Sequence, residues 1–482
     1  MSDEAAAGGT QGVASNAAWL MAAELVGKVA SFVLVVILAR GLGPRQYGYF
    51  AFTLAFLPLF LHLARWGIDV ATLRHISLRR HEFSPVFVNG AVLRVALAVI
   101  ATMVALALAP LFVDNRTAFA VAVVVGAALL LDELAAYLAV AFTAFEQMRF
   151  NAAIVIANRV VSTALAGVVV ALDGGLLAVC TAYMLGSLGA VLVGWSFLRR
   201  RLPPVHGGDL RRAKLGALLR EGTPYGIANF LNMAVFRIDT VLLEALKGPV
   251  AVGIYGVAYR FFEPILFVTW SIAQAVTPRL VRDATDEAAP TRTFELSLAA
   301  TLAFYLPVAA GAPFTAAWLL ETLFGTRYLG AEDAVLWLAA AAVPYGVAHL
   351  ARMAAVAAGA RRAITAVAGG ALALNVVLNL VLIPDHGVTG AAAATFVTEV
   401  LECGLLLGLY VRRTASLPVS GTVVAPAVAA VCMVVVLWPT FRGLGALLVG
   451  PVVFVAALTA VTRLVAPGDM RALVHAVRPG VG

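Results

Sequence analysis

"ARGLGPRQYGYF" occupies residues 39–50 and lies between two long apolar runs. Its Gly43-Pro44 followed by Gly48-Tyr49-Phe50 returns about 205 residues later in "KGPVAVGIYG" (247–256), as Gly248-Pro249 and Gly253-Ile254-Tyr255. Two more matches keep the order and nearly the same offset. "AFTAFEQMRFNAAIV" (141–155) pairs with "AVAAGARRAITAV" (355–367), and "DGGLLAVCTAYML" (173–185) with "DHGVTGAAAATFV" (385–397). Proline ends one helix and glycine relieves crowding where the next begins, so each Gly-Pro predicts a tight turn. The pattern predicts a six-helix unit present twice. An even number of crossings makes the two copies enter a membrane in the same direction, as parallel repeats about an axis along the membrane normal.

The solvent is lipid by composition. Hydrophobic residues make up 62% of the 482 and charged residues 12%, where a soluble domain carries roughly 45–50% and ~25%. A globule of this length has too little polar surface to cover so much apolar material. Apolar stretches of 18 residues or more, enough to cross a ~30 Å hydrocarbon core, recur along the chain. They lack the period-2 alternation of a barrel, so the fold class is all-α integral membrane.

We expect fourteen membrane helices near 14–39, 46–66, 86–113, 117–143, 149–172, 175–198, 222–245, 250–276, 294–318, 332–357, 362–383, 387–411, 421–439 and 444–465. They group into an N-terminal lobe (1–198), a basic linker (199–221), a C-terminal lobe (222–413) and two extra helices with a short tail (414–482). With the N-terminus inside, the cytoplasmic loops and tail hold most of the 34 Lys and Arg, including Arg65, Arg199-Arg200-Arg201, Arg361-Arg362 and Arg412-Arg413. The outer loops hold Arg40, Arg45, Arg116, Lys247, Arg327 and Arg442. That asymmetry obeys the positive-inside rule and places both termini in the cytoplasm of a cell membrane. The net charge of +8 thus belongs to topology and implies no nucleic-acid partner. "MSDEAAAGGTQG" lacks a basic n-region, and no cleaved signal is expected. Cys180, Cys403 and Cys432 sit singly in apolar segments, which suggests neither disulfide nor metal.

"ARGLGPRQYGYFAFTLAF" and "FRIDTVLLEALKGPVAVGIYGVAYRFFEPILF" resemble the first and the seventh-to-eighth helix regions of the prokaryotic polysaccharide and O-antigen flippases. These belong to the multidrug/oligosaccharidyl-lipid/polysaccharide exporter superfamily. The resemblance runs along essentially the whole chain and includes the twelve-plus-two helix arrangement. It implies a transporter without cofactor or covalent chemistry. A lipid-linked oligosaccharide would pass from the inner to the outer leaflet as two six-helix lobes rock, its lipid tail staying in the bilayer. A lipid II flippase and a cation-coupled drug antiporter share the fold. A membrane glycosyltransferase or polymerase is the reading from another class, and the first outer loop offers it no carboxylate.

Ionisable residues inside the bilayer cost ~2.5–3.5 kcal/mol each on insertion scales and usually face a cavity or a partner. Glu24 and Lys28 lie four apart in the first span, with Asn16 and Ser31 on their face. The seventh carries Asn229, Asn232, Arg237, Asp239, Thr240 and Glu244 within about half the helix circumference. The eighth carries Tyr259, Arg260, Glu263, Trp270 and Gln274. Glu24, Lys28, Arg237, Asp239, Arg260 and Glu263 are therefore candidates to line a lumen or touch substrate. Glu24–Lys28 and Arg260–Glu263 also have the spacing of neutralising ion pairs. Arg94, Arg159 and Arg352, in the inner third of their spans, are candidates to receive an anionic pyrophosphate, since guanidinium suits phosphate geometry. Snorkelling to the headgroups is the plainer reading. Acids outnumber bases within the spans, and Asp132, Glu133, Glu399 and Glu402 are candidates to carry a coupling proton or sodium. His62 and His349 read as interior histidines.

Overall fold

In the computed structural model, residues 2–465 are described apart from 114, 211, 284–289, 358 and 415–417. Among them every regular element is helical. The chain runs through α1 (Ser2–Arg65), α2 (Ile68–Leu78), α3 (Phe83–Leu108), α4 (Arg116–Ala144), α5 (Met148–Ala171), α6 (Leu176–Arg201) and α7 (Arg212–Lys247). It continues through α8 (Pro249–Asp283), α9 (Pro290–Phe324), α10 (Glu332–Ala357), α11 (Arg361–Thr414), α12 (Gly421–Leu437) and α13 (Leu444–Val465). Ten helices among the described residues are long and apolar enough to cross a membrane, and α12 is a shorter apolar helix. This is a multi-span membrane protein.

Two expected pairs of spans are continuous helices with a kink. α1 bends at Gly43, whose φ of 77° and ψ of 172° break the helix ahead of Pro44. α11 bends at Gly387, φ 54°, three residues after Pro384. Gly248, which separates α7 from α8, has the same φ of 77° as Gly43. The two Gly-Pro turns thus share a positive φ that glycine adopts at no steric cost.

α2 was not expected. Trp66 (φ 44°) and Gly67 (φ 68°) turn the chain sharply after α1. An eleven-residue helix follows, whose Ile68, Ala71, Thr72 and Ile76 are buried. α7 begins ten residues before the expected span and takes in the basic amphipathic stretch of the linker.

The chain forms two compact units, residues 1–253 and 254–482. In the first, Ile68, Phe83, Phe87, Tyr137, Phe142 and Leu198 form one apolar core beneath α2, α3, α4 and α6. The linker is pinned to it: Ser84 Oγ donates to Asp209 Oδ2 (2.6 Å), and Ser84 Oγ accepts from the His206 amide (2.9 Å). Trp66 Nε1 donates to Thr223 Oγ1 (2.9 Å) at the start of α7. In the second unit, Phe294, Leu350, Leu406 and Tyr410 centre one core. A further cluster of Phe314, Met433, Leu437 and Phe454 packs α12 and α13 onto α9. The Gly443 amide closes that junction on the Phe314 carbonyl (2.8 Å).

Candidate functional site

Four charged side chains from four helices meet inside the first unit. Arg65, at the end of α1, grips Glu133 of α4 through Nε, 3.2 Å from both carboxylate oxygens, and through Nη2, 2.8 Å from Oε1. From the opposite side Arg94 of α3 donates Nη2 to Glu133 Oε2, and the same nitrogen lies 3.4 Å from Asp69 Oδ2 of α2. Arg94 is 1% exposed and Glu133 7%, whereas Arg65 keeps 36% of its side chain open. Two guanidiniums face two carboxylates, so the cluster is balanced in charge, as buried ions must be. Nε and Nη1 of Arg94 have no hydrogen-bond partner among the described residues. Arg65 and Asp69 were missed by sequence reasoning as members of any site. Their signal was the Trp66-Gly67 turn, which folds Asp69 back beside the end of α1.

The adjacent acid serves a different network. Asp132 Oδ1 accepts from Asn158 Nδ2 (2.6 Å) of α5, and Oδ2 accepts from the Tyr183 hydroxyl (3.2 Å) of α6. Arg159 Nη1 lies 3.5 Å from that hydroxyl, and Arg159 is an exposed residue. Neighbouring positions on a helix point about 100° apart, so Asp132 and Glu133 cannot share a partner set.

The remaining candidates of this unit are spread out. Glu24 and Lys28 are both exposed on α1. Arg237 is half-buried, and Asp239 is 1% exposed with its Oδ1 accepting from the Thr240 amide at 2.6 Å. The side chains of Asn229 and Asn232 lie outside the described residues. His62 bonds the Pro58 carbonyl (2.9 Å) within its own helix.

In the second unit Arg260 and Glu263 pair at 2.9 Å within α8, each about a quarter exposed. Arg352 of α10 pairs with Glu402 of α11, and the buried Glu399 lies one turn before Glu402. Trp270 Nε1 donates to the Tyr345 hydroxyl (2.6 Å), and the Tyr345 ring stacks on His349 at 6.0 Å between centroids. Asn375 Nδ2 donates to Thr398 Oγ1 (3.2 Å), and Asn379 Nδ2 to Asn375 Oδ1 (2.9 Å). Among the described residues no three His, Cys, Asp or Glu gather as metal ligands.

A family model described as polysaccharide biosynthesis protein matches residues 13–282, and the MatE family model matches residues 224–381. Among solved structures, the lipid II flippase MurJ in an inward closed conformation superposes with a TM-score of 0.77 at 12% identity, covering 94% of this chain and 99% of that one. An inward-facing multidrug resistance MATE family transporter of the MOP superfamily superposes at 0.66, with 15% identity and coverage of 81% and 94%. A MOP superfamily transporter from Pyrococcus furiosus superposes at 0.58, with 16% identity and coverage of 83% and 95%. At such identities the likeness concerns the fold. No curated protein matches in sequence.

Proposed function

Because the chain belongs to the polysaccharide biosynthesis protein family, we propose that it is a flippase that carries a lipid-linked oligosaccharide from the inner to the outer leaflet of the cell membrane by alternating access. The observation that carries this reading is the match of that family model over residues 13–282, on a chain whose fold is shared along 94% of its length with a flippase. Both termini lie in the cytoplasm, and the lipid tail stays in the bilayer while the polar head crosses.

The intramembrane charges divide by exposure. Arg94 is covered by Glu133 and acts through it, as a positioning residue for Arg65, which Glu133 holds through Nε and Nη2 and whose partly exposed side chain leaves Nη1 to meet a phosphate. Arg159, an exposed residue whose Nη1 lies near the Tyr183 hydroxyl, is the second candidate to receive the pyrophosphate. Arg352 is neutralised by Glu402. Of the acids, Glu399 is buried one turn before the Glu402 that pairs with Arg352, which suits a proton or sodium ion coupled to transport, and Asp239 stays with the residues that line the path. Glu24, Lys28, Arg237, Arg260 and Glu263 remain the lining of the path.

A second reading, lipid II as the cargo, is favoured by the MurJ likeness. Cells lacking the chain separate the two. Surface glycan made on a lipid carrier disappears and its precursor accumulates beyond reach of an impermeant periodate probe, while wall synthesis continues. Normal surface glycan with arrested wall synthesis would favour lipid II instead.

A further inference from the structure

Three turns of the first unit gather around one polar cavity of about 750 Å³: the Gly-Pro kink of α1, the α3–α4 connection and the α7–α8 junction. Its walls carry Arg45, Tyr49, Asn115, Arg116 and Glu244. The volume lies within the ~300–1,000 Å³ of small-molecule sites. None of these residues belongs to the charged networks described above.

Glu244 decides what the cavity can hold. It is 5% exposed, and its Oε2 has no hydrogen-bond partner among the described residues. A buried acceptor left unsatisfied is costly unless a ligand supplies a donor. Arg45 and Arg116 are exposed on the same walls. Asn115 is fixed between them: its Oδ1 caps α4 by accepting from the Thr117 amide (2.9 Å), and its Nδ2 donates to the Tyr49 hydroxyl (3.3 Å).

A simple anion meets the carboxylate of Glu244, and a simple cation meets two guanidiniums. A neutral ligand rich in hydroxyls meets neither penalty. Each hydroxyl can donate to the carboxylate and accept from arginine, and both bonds are charge-assisted. We propose that this cavity is a binding site for a sugar ring of the transported glycan, with Glu244 accepting a sugar hydroxyl and Arg45 and Arg116 donating to others. It rests on the flippase reading, and by the charge asymmetry of the loops it stands at the outer end of the transport path, where the glycan emerges.

The test uses the full chain in lipid nanodiscs and two probes: the polyprenyl diphosphate glycan extracted from cells that carry this protein, and the same polyprenyl diphosphate without sugar. The wild type binds the sugar-bearing probe about tenfold more tightly than the bare one, the worth of one or two such hydrogen bonds. Glu244→Ala removes most of that preference and leaves affinity for the bare probe unchanged. Arg116→Gln, at an exposed position that does not threaten folding, reduces the preference in the same direction. A preference that survives in both variants, or that the wild type lacks, overturns the site. Flipping of the sugar-bearing probe by wild-type protein in vesicles is read separately, so the flippase reading can stand while the cavity proposal falls.

Discussion

Gly48 and Gly253 are packed reciprocally: a Cβ built on Gly48 would lie 1.8 Å from the Pro249 carbonyl oxygen, and one on Gly253 would lie 2.0 Å from the Pro44 carbonyl oxygen. Each glycine therefore receives the backbone of the other's Gly-Pro turn. This is the close approach that small residues permit between helices in a membrane. It gives the duplicated motif its physical reason, since both copies must stay small for either to fit.

Gly48→Ala and Gly253→Ala place a methyl group against backbone that cannot yield. Each is expected to lower stability by about 1–3 kcal/mol or more, the usual cost of overpacking. Gly404→Ala, which meets open space within α11, should be neutral or stabilise by up to about 1 kcal/mol from helix propensity. Thermal unfolding in detergent checks the contrast. Equal behaviour of Gly48→Ala and Gly404→Ala would refute the packing account.

Adjacent acids should behave differently. Glu133→Gln leaves the buried Arg94 with Asp69, 3.4 Å away, as its remaining counter-ion, a change that costs about 3–5 kcal/mol where a buried pair is broken outright and less here because Asp69 stays and Arg65 is partly open. Asp132→Asn keeps a hydrogen-bonding side chain against Asn158 and Tyr183 and should cost under about 1.5 kcal/mol. Unfolding midpoints of the two variants measure the difference.

Among the three arginines first singled out, exposure separates stability from transport. Arg159→Gln is expected to slow flipping with little change in unfolding midpoint. Arg94→Gln should lower the midpoint first, because Glu133 loses one of its two clamps. Paired measurements of stability and flipping on both variants decide this, and the reverse assignment would remove Arg159 from the substrate path.

Arg352 and Glu402 bridge α10 and α11. A double-mutant cycle with Arg352→Ala and Glu402→Ala should show a coupling of about 0.5–3 kcal/mol, as contacting residues do. Additivity would show that the two residues act independently.

The helices were legible because each long apolar run has one dominant meaning in a chain of this composition. Expected and observed boundaries of α5 and α10 agree within a residue. The kinks at Gly43 and Gly387 were visible as Gly-Pro and Pro-Asp-His-Gly, although the chain stays helical on both sides of each. α2 was hidden because Ile68–Leu78 is short and carries Asp69, Arg74 and His75, so it reads as loop. The partners of Glu133 were hidden for another reason. Which arginine meets it depends on the depth and rotation of α1 and α3 beside α4, which local periodicity does not encode. The Arg260–Glu263 pair, one of the two roles its spacing allows, is legible because both partners lie on the same helix.

The most direct test of the central claim is transport by the purified chain in sealed proteoliposomes carrying a fluorescent polyprenyl diphosphate oligosaccharide, with an impermeant reagent reporting which leaflet holds the sugar. The account predicts that sugar crosses only when the chain is present, that it does so without chemical change, and that a bare fluorescent phospholipid does not cross at a comparable rate. Equal rates with and without the chain, or release of the oligosaccharide from its lipid, would contradict it.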